Sequence, residues 1–432
     1  MAQDSSRSGR TNPSRRQFIQ KSSLIMASGA LASNLTIARS AHAAGDDQIK
    51  IAVIGCGGRG TGAASQALST KGNVKLVAMA DAFQDRLEGA LRGLQKQHGD
   101  KVDVPKERQF VGFDGYKHAI DAGVDLVILA TPPGFRPIHF EAAVKAGKHV
   151  FMEKPVAVDA PGVRMVLAAA EEAKKKNLGV GVGLQRHHEN KYIETIRRLQ
   201  EGAIGDIVAT RVYWNGAGVW VRPRQPGQTE MEYQMRNWYY YTWLSGDHNV
   251  EQHVHSIDKV AWLMRDEMPV RAWGLGGRQQ RTESKFGHIF DHHAVVYEYA
   301  NGTRAFAYCR QQNGCYNEVG EIAIGTKGTA EVPGARINGE TKWRFDGPRP
   351  SMYQVEHDEL FASIRSGNPI HDGEIMANST MMTIMGRMVT YTGQALTWDQ
   401  VINSEEKLGP EKYEWGDVPE PSVAVPGVTK FV

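Results

Sequence analysis

Cysteine is scarce in this 432-residue sequence: Cys56, Cys309 and Cys315 form an odd, scattered set. That excludes a disulfide framework, and the absence of any CxxC pair excludes a zinc knuckle. Cys309 and Cys315 flank the Asn313-Gly314 turn, where a hairpin-spanning bridge is conceivable, but free thiols are the expectation. Long hydrophobic runs are missing too. The apolar stretch from Leu24 to Leu35 is interrupted by Ser and Gly, and it falls short of the roughly 20 apolar residues that a membrane-spanning helix needs. Charge of one sign is also lacking, with 51 Lys and Arg against 48 Asp and Glu. Residues 1–43 hold six of those bases and one acid, so the remainder carries 45 bases against 47 acids. A body without excess positive charge lacks the footprint for phosphate backbones, which argues against a nucleic-acid partner. With 23% charged and 41% apolar residues the composition is globular, and the length suits two domains.

What is present begins with an address. Ser14-Arg15-Arg16-Gln17-Phe18-Ile19 is followed by the mild apolar stretch and then by Ala41-His42-Ala43, the order of a charged region, an apolar region and a small-residue cleavage site. Residues 1–43 are expected to be a twin-arginine signal cut after Ala43. It would deliver a folded protein to the periplasm through the twin-arginine export machinery, with no stable membrane insertion.

From residue 49 onward, short apolar runs alternate with helical segments. The runs are Lys50–Ile54, Lys75–Ala80, Val124–Ala130, His149–Phe151 and Leu178–Val182. Such alternation predicts crossover units around a parallel sheet. After a charged helix near Glu189 to Gln200 the pattern changes to period-two strands, such as Val208–Tyr213 and Ala294–Tyr299. The fold class is therefore α/β, with a parallel-sheet domain at 48–185 that Gly55-Cys56-Gly57-Gly58-Arg59-Gly60, directly after its first strand, marks as a Rossmann dinucleotide-binding domain. An α+β domain with a large, open, mainly antiparallel sheet follows at 186–417. Helices within 356–394 are expected to pack back toward the N-terminal domain, and 418–432 form an extended tail.

Gly55-Cys56-Gly57-Gly58-Arg59-Gly60 fits G-x-G-x-x-G between a strand and a helix. There glycine permits a tight turn and close approach of backbone to pyrophosphate, and the helix N-terminus favours phosphate charge. Asp81 ends the next strand, where an acid accepts hydrogen bonds from the adenosine ribose and repels a 2′-phosphate. NAD is the expected cofactor, while Arg59 keeps NADP open as the weaker alternative. Cys56 is expected to be a small buried filler.

Further along stand Ala130-Thr131-Pro132-Pro133, then Ala146-Gly147-Lys148-His149-Val150-Phe151-Met152-Glu153-Lys154-Pro155, then a helix with Glu251, His255 and Asp258. With the glycine loop, these segments resemble the Gfo/Idh/MocA oxidoreductases over about residues 50–260. The resemblance implies cofactor contacts from Thr131, Pro132, Glu153 and Lys154. It implies an acid/base role for His255 and a substrate-side role for Asp258, with Arg186 and Gln185 near nicotinamide and substrate. Chemistry agrees for Lys154, because oxidising a carbinol requires a cation beside the developing alkoxide and a base for the proton. Glu251 stands where the family usually has Asp; four residues before His255 on one helix, it is expected to orient the imidazole.

Val250, Val254, Ile257 and Ala261 form the apolar stripe of that helix. His253 and His255 are two apart and so face different ways, and no metal is expected. Six of nine tryptophans fall between residues 214 and 273, among them Trp238 and Trp243, a density suited to stacking on pyranose faces.

The expected function is hydride transfer between a tightly bound nicotinamide cofactor and a sugar or sugar derivative. An exported enzyme has no soluble nicotinamide pool, so the cofactor must be regenerated in place. A redox-neutral NAD-dependent glycosidase, working by oxidation, elimination and re-reduction, is the alternative, and a noncatalytic sugar- or nucleotide-binding relative is the second. The resemblance also implies a homodimer or homotetramer formed through the open sheet.

Overall fold

The computed structural model describes residues 48–432; the expected signal at 1–43 lies outside the described residues. Six parallel strands form the first sheet: β1 Ile49–Ile54, β2 Val74–Asp81, β3 Gln109–Val111, β4 Leu126–Leu129, β5 His149–Met152 and β6 Val180–Val182. Their order is β3-β2-β1-β4-β5-β6. The central strands are buried on both faces, as near-continuous apolar runs dictate. Helices α1 Gly58–Ser69, α2 Gln84–His98, α3 Gly115–Asp121, α4 Arg136–Lys145 and α5 Ala160–Lys175 connect them. Strand order reverses between β1 and β4, and a crevice at such a switch point is where a dinucleotide binds. The short β3 at the sheet edge was not among the expected strands.

The second sheet has nine strands: β7 Ile207–Gly216, β8 Arg271–Gly277, β9 His292–Glu298, β10 Arg304–Gln311, β11 Glu318–Gly325, β12 Gly328–Glu331, β13 Arg336–Gly339, β14 Trp343–Arg344 and β15 Leu396–Thr397. Their order is β14-β13-β12-β11-β7-β10-β9-β8-β15. Every pair is antiparallel except β7 with β10, so the sheet is mixed. Helix α6 Asn190–Gln200 precedes it. Between β7 and β8 run four helices: α7 Glu230–Arg236, α8 Thr242–Ser245, α9 His248–Glu251 and α10 Val254–Leu263.

Near the C-terminus lie α11 Met352–Arg365, α12 Gly373–Thr392 and α13 Trp398–Ile402. Leu360 and Phe361 of α11 join the core beneath α1 and α2, and Gln354 Nε2 donates to the Gln66 carbonyl of α1 at 3.0 Å. Helix α12 is buried on every side from Ser379 to Thr392 and packs against both α5 and β8. The tail runs back over its own chain: the Gly427 amide donates to the Thr392 carbonyl at 2.8 Å, and Phe431 packs on the core. All three cysteines are free, with Cys56 and Cys309 buried.

Candidate active site

The glycine loop is shaped by its neighbours. Gly55 has φ +98°, and a Cβ there would lie 2.5 Å from the Ala130 carbonyl carbon; one on Gly60 would lie 1.8 Å from the Gly55 oxygen. These two positions admit only glycine. Gly57 and Gly58, by contrast, face open space at the start of α1, the cradle that a pyrophosphate requires. Asp81 ends β2 with Oδ2 accepting from the Cys56 amide at 2.6 Å and Oδ1 from the Phe83 amide at 2.9 Å. Burial pushes its pKa up, and those amides oppose the shift. Each oxygen keeps a lone pair for a ribose hydroxyl.

The loop opens into a cavity of about 500 Å³. Its walls include the expected Gly55, Gly57, Gly58, Arg59, Asp81, Thr131, Pro132, Glu153, Lys154, Gln185, Trp238, Glu251 and His255. Gly60 lies behind the loop as a packing residue. Arg59 pairs with Glu153 through two bonds of 2.5 and 2.9 Å and sits over the Tyr353 ring at 5.0 Å. Its Nε and Nη2 are thereby held at the end of β5 rather than beside Asp81 at the end of β2, where a 2′-phosphate would lie, which weakens the NADP alternative.

Lys154, just after β5, reaches across to the second half of the chain. Its Nζ donates to Glu251 Oε1 at 2.7 Å and to the Glu251 carbonyl at 2.5 Å. The expected pairing of Glu251 with His255 is therefore corrected. One helix does not carry both residues: α9 ends at Glu251, Gln252 and His253 form a turn, and α10 starts at Val254, so the i,i+4 relation fails. His255 Nδ1 has no hydrogen-bond partner, and the ring stacks on Trp214 at 5.7 Å. Burial, then Lys154, Arg186, Lys259 and Arg59, hold the imidazole well below the ordinary histidine range. It is a neutral acceptor at physiological pH.

Three expected residues are taken elsewhere. Asp258 accepts from Ser379 Oγ at 2.9 Å and pairs with His187 Nε2 at 2.8 Å, fully buried and away from the cavity wall. Trp243 is buried, donating from Nε1 to Gln234 Oε1 at 2.7 Å. Arg186 lies over the Trp214 ring at 5.7 Å and is not among the residues of the cavity wall. Asp258 and Arg186 have found partners distant in sequence, which spacing does not reveal, and Trp243 is buried by the helices around it.

Residues 49–183 match the oxidoreductase family with an NAD-binding Rossmann fold, Gfo/Idh/MocA, and residues 192–331 match the C-terminal domain of the same family. Together they span well over half the chain. The protein belongs to the Gfo/Idh/MocA oxidoreductases. An inositol 2-dehydrogenase of Saccharopolyspora erythraea is 27% identical over 290 residues, 66% of this chain and 73% of that one. Among solved structures, the aldose-aldose oxidoreductase of Caulobacter crescentus complexed with glycerol is similar with a TM-score of 0.63 at 19% identity, covering 81% of this chain and 99% of that one. The scyllo-inositol dehydrogenase of Lactobacillus casei with bound NAD(H) and scyllo-inositol gives 0.61 at 20% identity, covering 82% and 99%. At such identities the structures speak for the fold. The matched residues 49–183 are the NAD-binding Rossmann fold of the family, so NAD is the cofactor. The residues present fit it, through the open cradle at Gly57 and Gly58 and the ribose acceptors of Asp81.

Sequence reasoning missed several members of the cavity. Arg136 is buried with its guanidinium on the carbonyls of Glu153 and Thr131 at 3.0 and 2.7 Å, fixing the loop that ends β5. Tyr353 of α11 accepts from Gln185 Nε2 at 3.1 Å. Trp220, Arg222 and Arg236, from the tryptophan-dense stretch between residues 214 and 273, do line the cavity, and Met235 joins them. The only available signal was the density of aromatic and arginine residues there.

The described residues also bring Asp247, His248 and His293 together, fully buried, with ligand-type atoms within 4.8 Å of one another. Asp247 Oδ1 and His248 Nδ1 are 2.6 Å apart, a hydrogen-bond length. Two ligands at about 2.0 Å on a tetrahedral metal stand roughly 3.3 Å apart. Asp247 Oδ2 further accepts from the Phe290 amide at 3.0 Å and Tyr391 Oη at 2.5 Å. The cluster is a polar network that anchors the start of α9.

Proposed function

We propose that this protein oxidises a carbinol of a sugar or cyclic polyol with NAD that stays bound between turnovers and is reduced and reoxidised in place. The observation that carries the reading is the convergence of Lys154, Glu251 and His255 on the cavity that holds the glycine loop and Asp81. NAD, when bound, supplies the hydride acceptor. Lys154 Nζ, held by the Glu251 carboxylate and carbonyl, donates to the substrate hydroxyl oxygen and favours the negative charge that develops there. The neutral imidazole of His255 takes the hydroxyl proton. Trp238 and Trp220 offer apolar faces on which a pyranose or cyclohexane ring stacks. Export by residues 1–43 belongs to the same reading, since a periplasmic enzyme must carry its own nicotinamide.

The test is to purify the exported chain without added nucleotide, denature it, and identify released cofactor by mass spectrometry before and after incubation with a panel of polyols, aldoses and glycosides. Bound NAD that becomes NADH with a free sugar or polyol is the expected result. A glycoside cleaved while NAD stays unchanged would replace the proposal with the redox-neutral cycle. A protein that neither contains nor takes up nucleotide would end both.

We further infer that copies of the chain meet through the open face of the second sheet. Ladder register aligns Trp273, Val296, Phe306, Arg211 and Ile322 on that face, with Leu275, Tyr308 and Tyr213 in the next row. Leu275 is 67% exposed, Trp273, Val296 and Phe306 are half-buried, and an apolar patch bordered by charge, here Arg211, marks an interface.

A further inference from the structure

The wall of the cavity where Asp81, Phe83 and Phe113 stand is backed by parts of the chain far away in sequence. Arg236 at the end of α7 grips Asp85 of α2 through two bonds of 2.8 Å, and its guanidinium lies 3.7 Å over the Phe83 ring. Trp415 packs on the other rings of this wall, 4.5 Å from Phe113 and 5.4 Å from Phe83. Tyr413 lies 5.0 Å from Phe135, a third ring of the cavity lining. Residues 403–432 contain no helix or strand. Around Trp415 the segment is tied to α7 by the Met231 amide on the Gly416 carbonyl at 3.0 Å and by Gln234 Nε2 on the Pro419 carbonyl at 3.4 Å. On either side it is fastened more firmly. The Leu408 amide donates to Asp159 at 3.0 Å, Glu406 pairs with the buried Arg387 at 2.7 Å, and Gly427 is bonded to the end of α12.

We propose that residues 409–419 are a latch on the cofactor cavity, fixed at both ends and docked through Trp415 and Tyr413 on the backs of the rings that wall it. Docked, the segment holds Phe83 and Phe113 in place, and Arg236 bolts α7 to α2 across the same wall. When the segment lifts, those rings are free to move apart and NAD leaves faster. The argument runs on local stability. A strand of chain without secondary structure, with Trp415 45% exposed, opens at far lower cost than the buried core around it. Its aromatic contacts slow that opening. The latch rests on the proposed retention of NAD and supplies its physical means.

The experiment measures exchange of bound NAD for deuterium-labelled NAD in the full chain, read by mass spectrometry of the denatured protein. Trp415→Ala is expected to raise the release rate roughly tenfold, the factor that losing two ring contacts corresponds to, with little change in melting temperature because the side chain is half-exposed. Arg236→Ala is expected to act in the same direction. Amide exchange of residues 409–419 in the unaltered protein should slow when NAD is bound. Release from both variants at the rate of the unaltered protein, or amide exchange indifferent to NAD, would overturn the latch while leaving bound NAD as the cofactor. A chain that takes up no labelled NAD at all would overturn the latch together with the retention it rests on.

Discussion

Shortening Glu251 to Asp removes one methylene from the carboxylate that holds Lys154 at 2.7 Å while leaving the carbonyl bond in place. Loss of a positioned charge at the developing alkoxide costs on the order of 10²-fold in turnover. Glu251→Asp and Glu251→Gln are therefore expected to lower kcat by about that factor, with a smaller change in KM; NADH appearance in single turnovers checks it. A second prediction concerns buried histidines. Burial pushes His139, His253 and His357 down to about 3, and His248 and His288 down to about 4, from 6.5. With the folded values below the unfolded one, the unfolded chain binds more protons at every pH between them. The stability these groups contribute is whole above about pH 6.5 and falls as pH drops toward 4 and 3, by up to about 1.4 kcal/mol per pH unit for each group. Melting temperatures measured from pH 7.5 to 4 should fall steeply below 6; a flat profile would contradict the burial.

Among elements, the turn from β1 into α1 tolerates least. Gly60→Ala places a methyl 1.8 Å from the Gly55 oxygen. It must push α1 off the sheet, at a cost of about 1–3 kcal/mol, and is expected to abolish NAD binding as read by titration calorimetry. This turn was legible in the sequence because glycine spacing and a following acid report backbone geometry directly. The parallel strands were legible for a similar reason, since burial on both faces demands unbroken apolar runs. Edge strand β3, with Gln109 and Phe110 half-buried and Val111 exposed, carries no such mark. Nor does the interruption at Gln252 and His253. The apolar positions Val250, Val254, Ile257 and Ala261 keep helical spacing across it, so periodicity joins two helices that the backbone separates. That join misplaced Glu251, and with Asp258 drawn to His187 from 71 positions away, it accounts for most of what the sequence misassigned in the site.

At the scale of the molecule, the open sheet face predicts an assembly. Leu275→Glu puts a charge into the exposed apolar row and is expected to yield a smaller species than the unaltered chain in size-exclusion chromatography with light scattering; an unchanged mass would exclude this face as the contact. One core cluster joins Ala52 and Val127 of the first sheet to Val212 and Tyr297 of the second through Met381 and Met385 of α12. Because that helix is enclosed by both halves, neither can melt without stripping the other of its packing. Heating should therefore give one calorimetric peak for the two sheets rather than two, and a gene split between β6 and β7 should yield fragments that fold only when co-expressed.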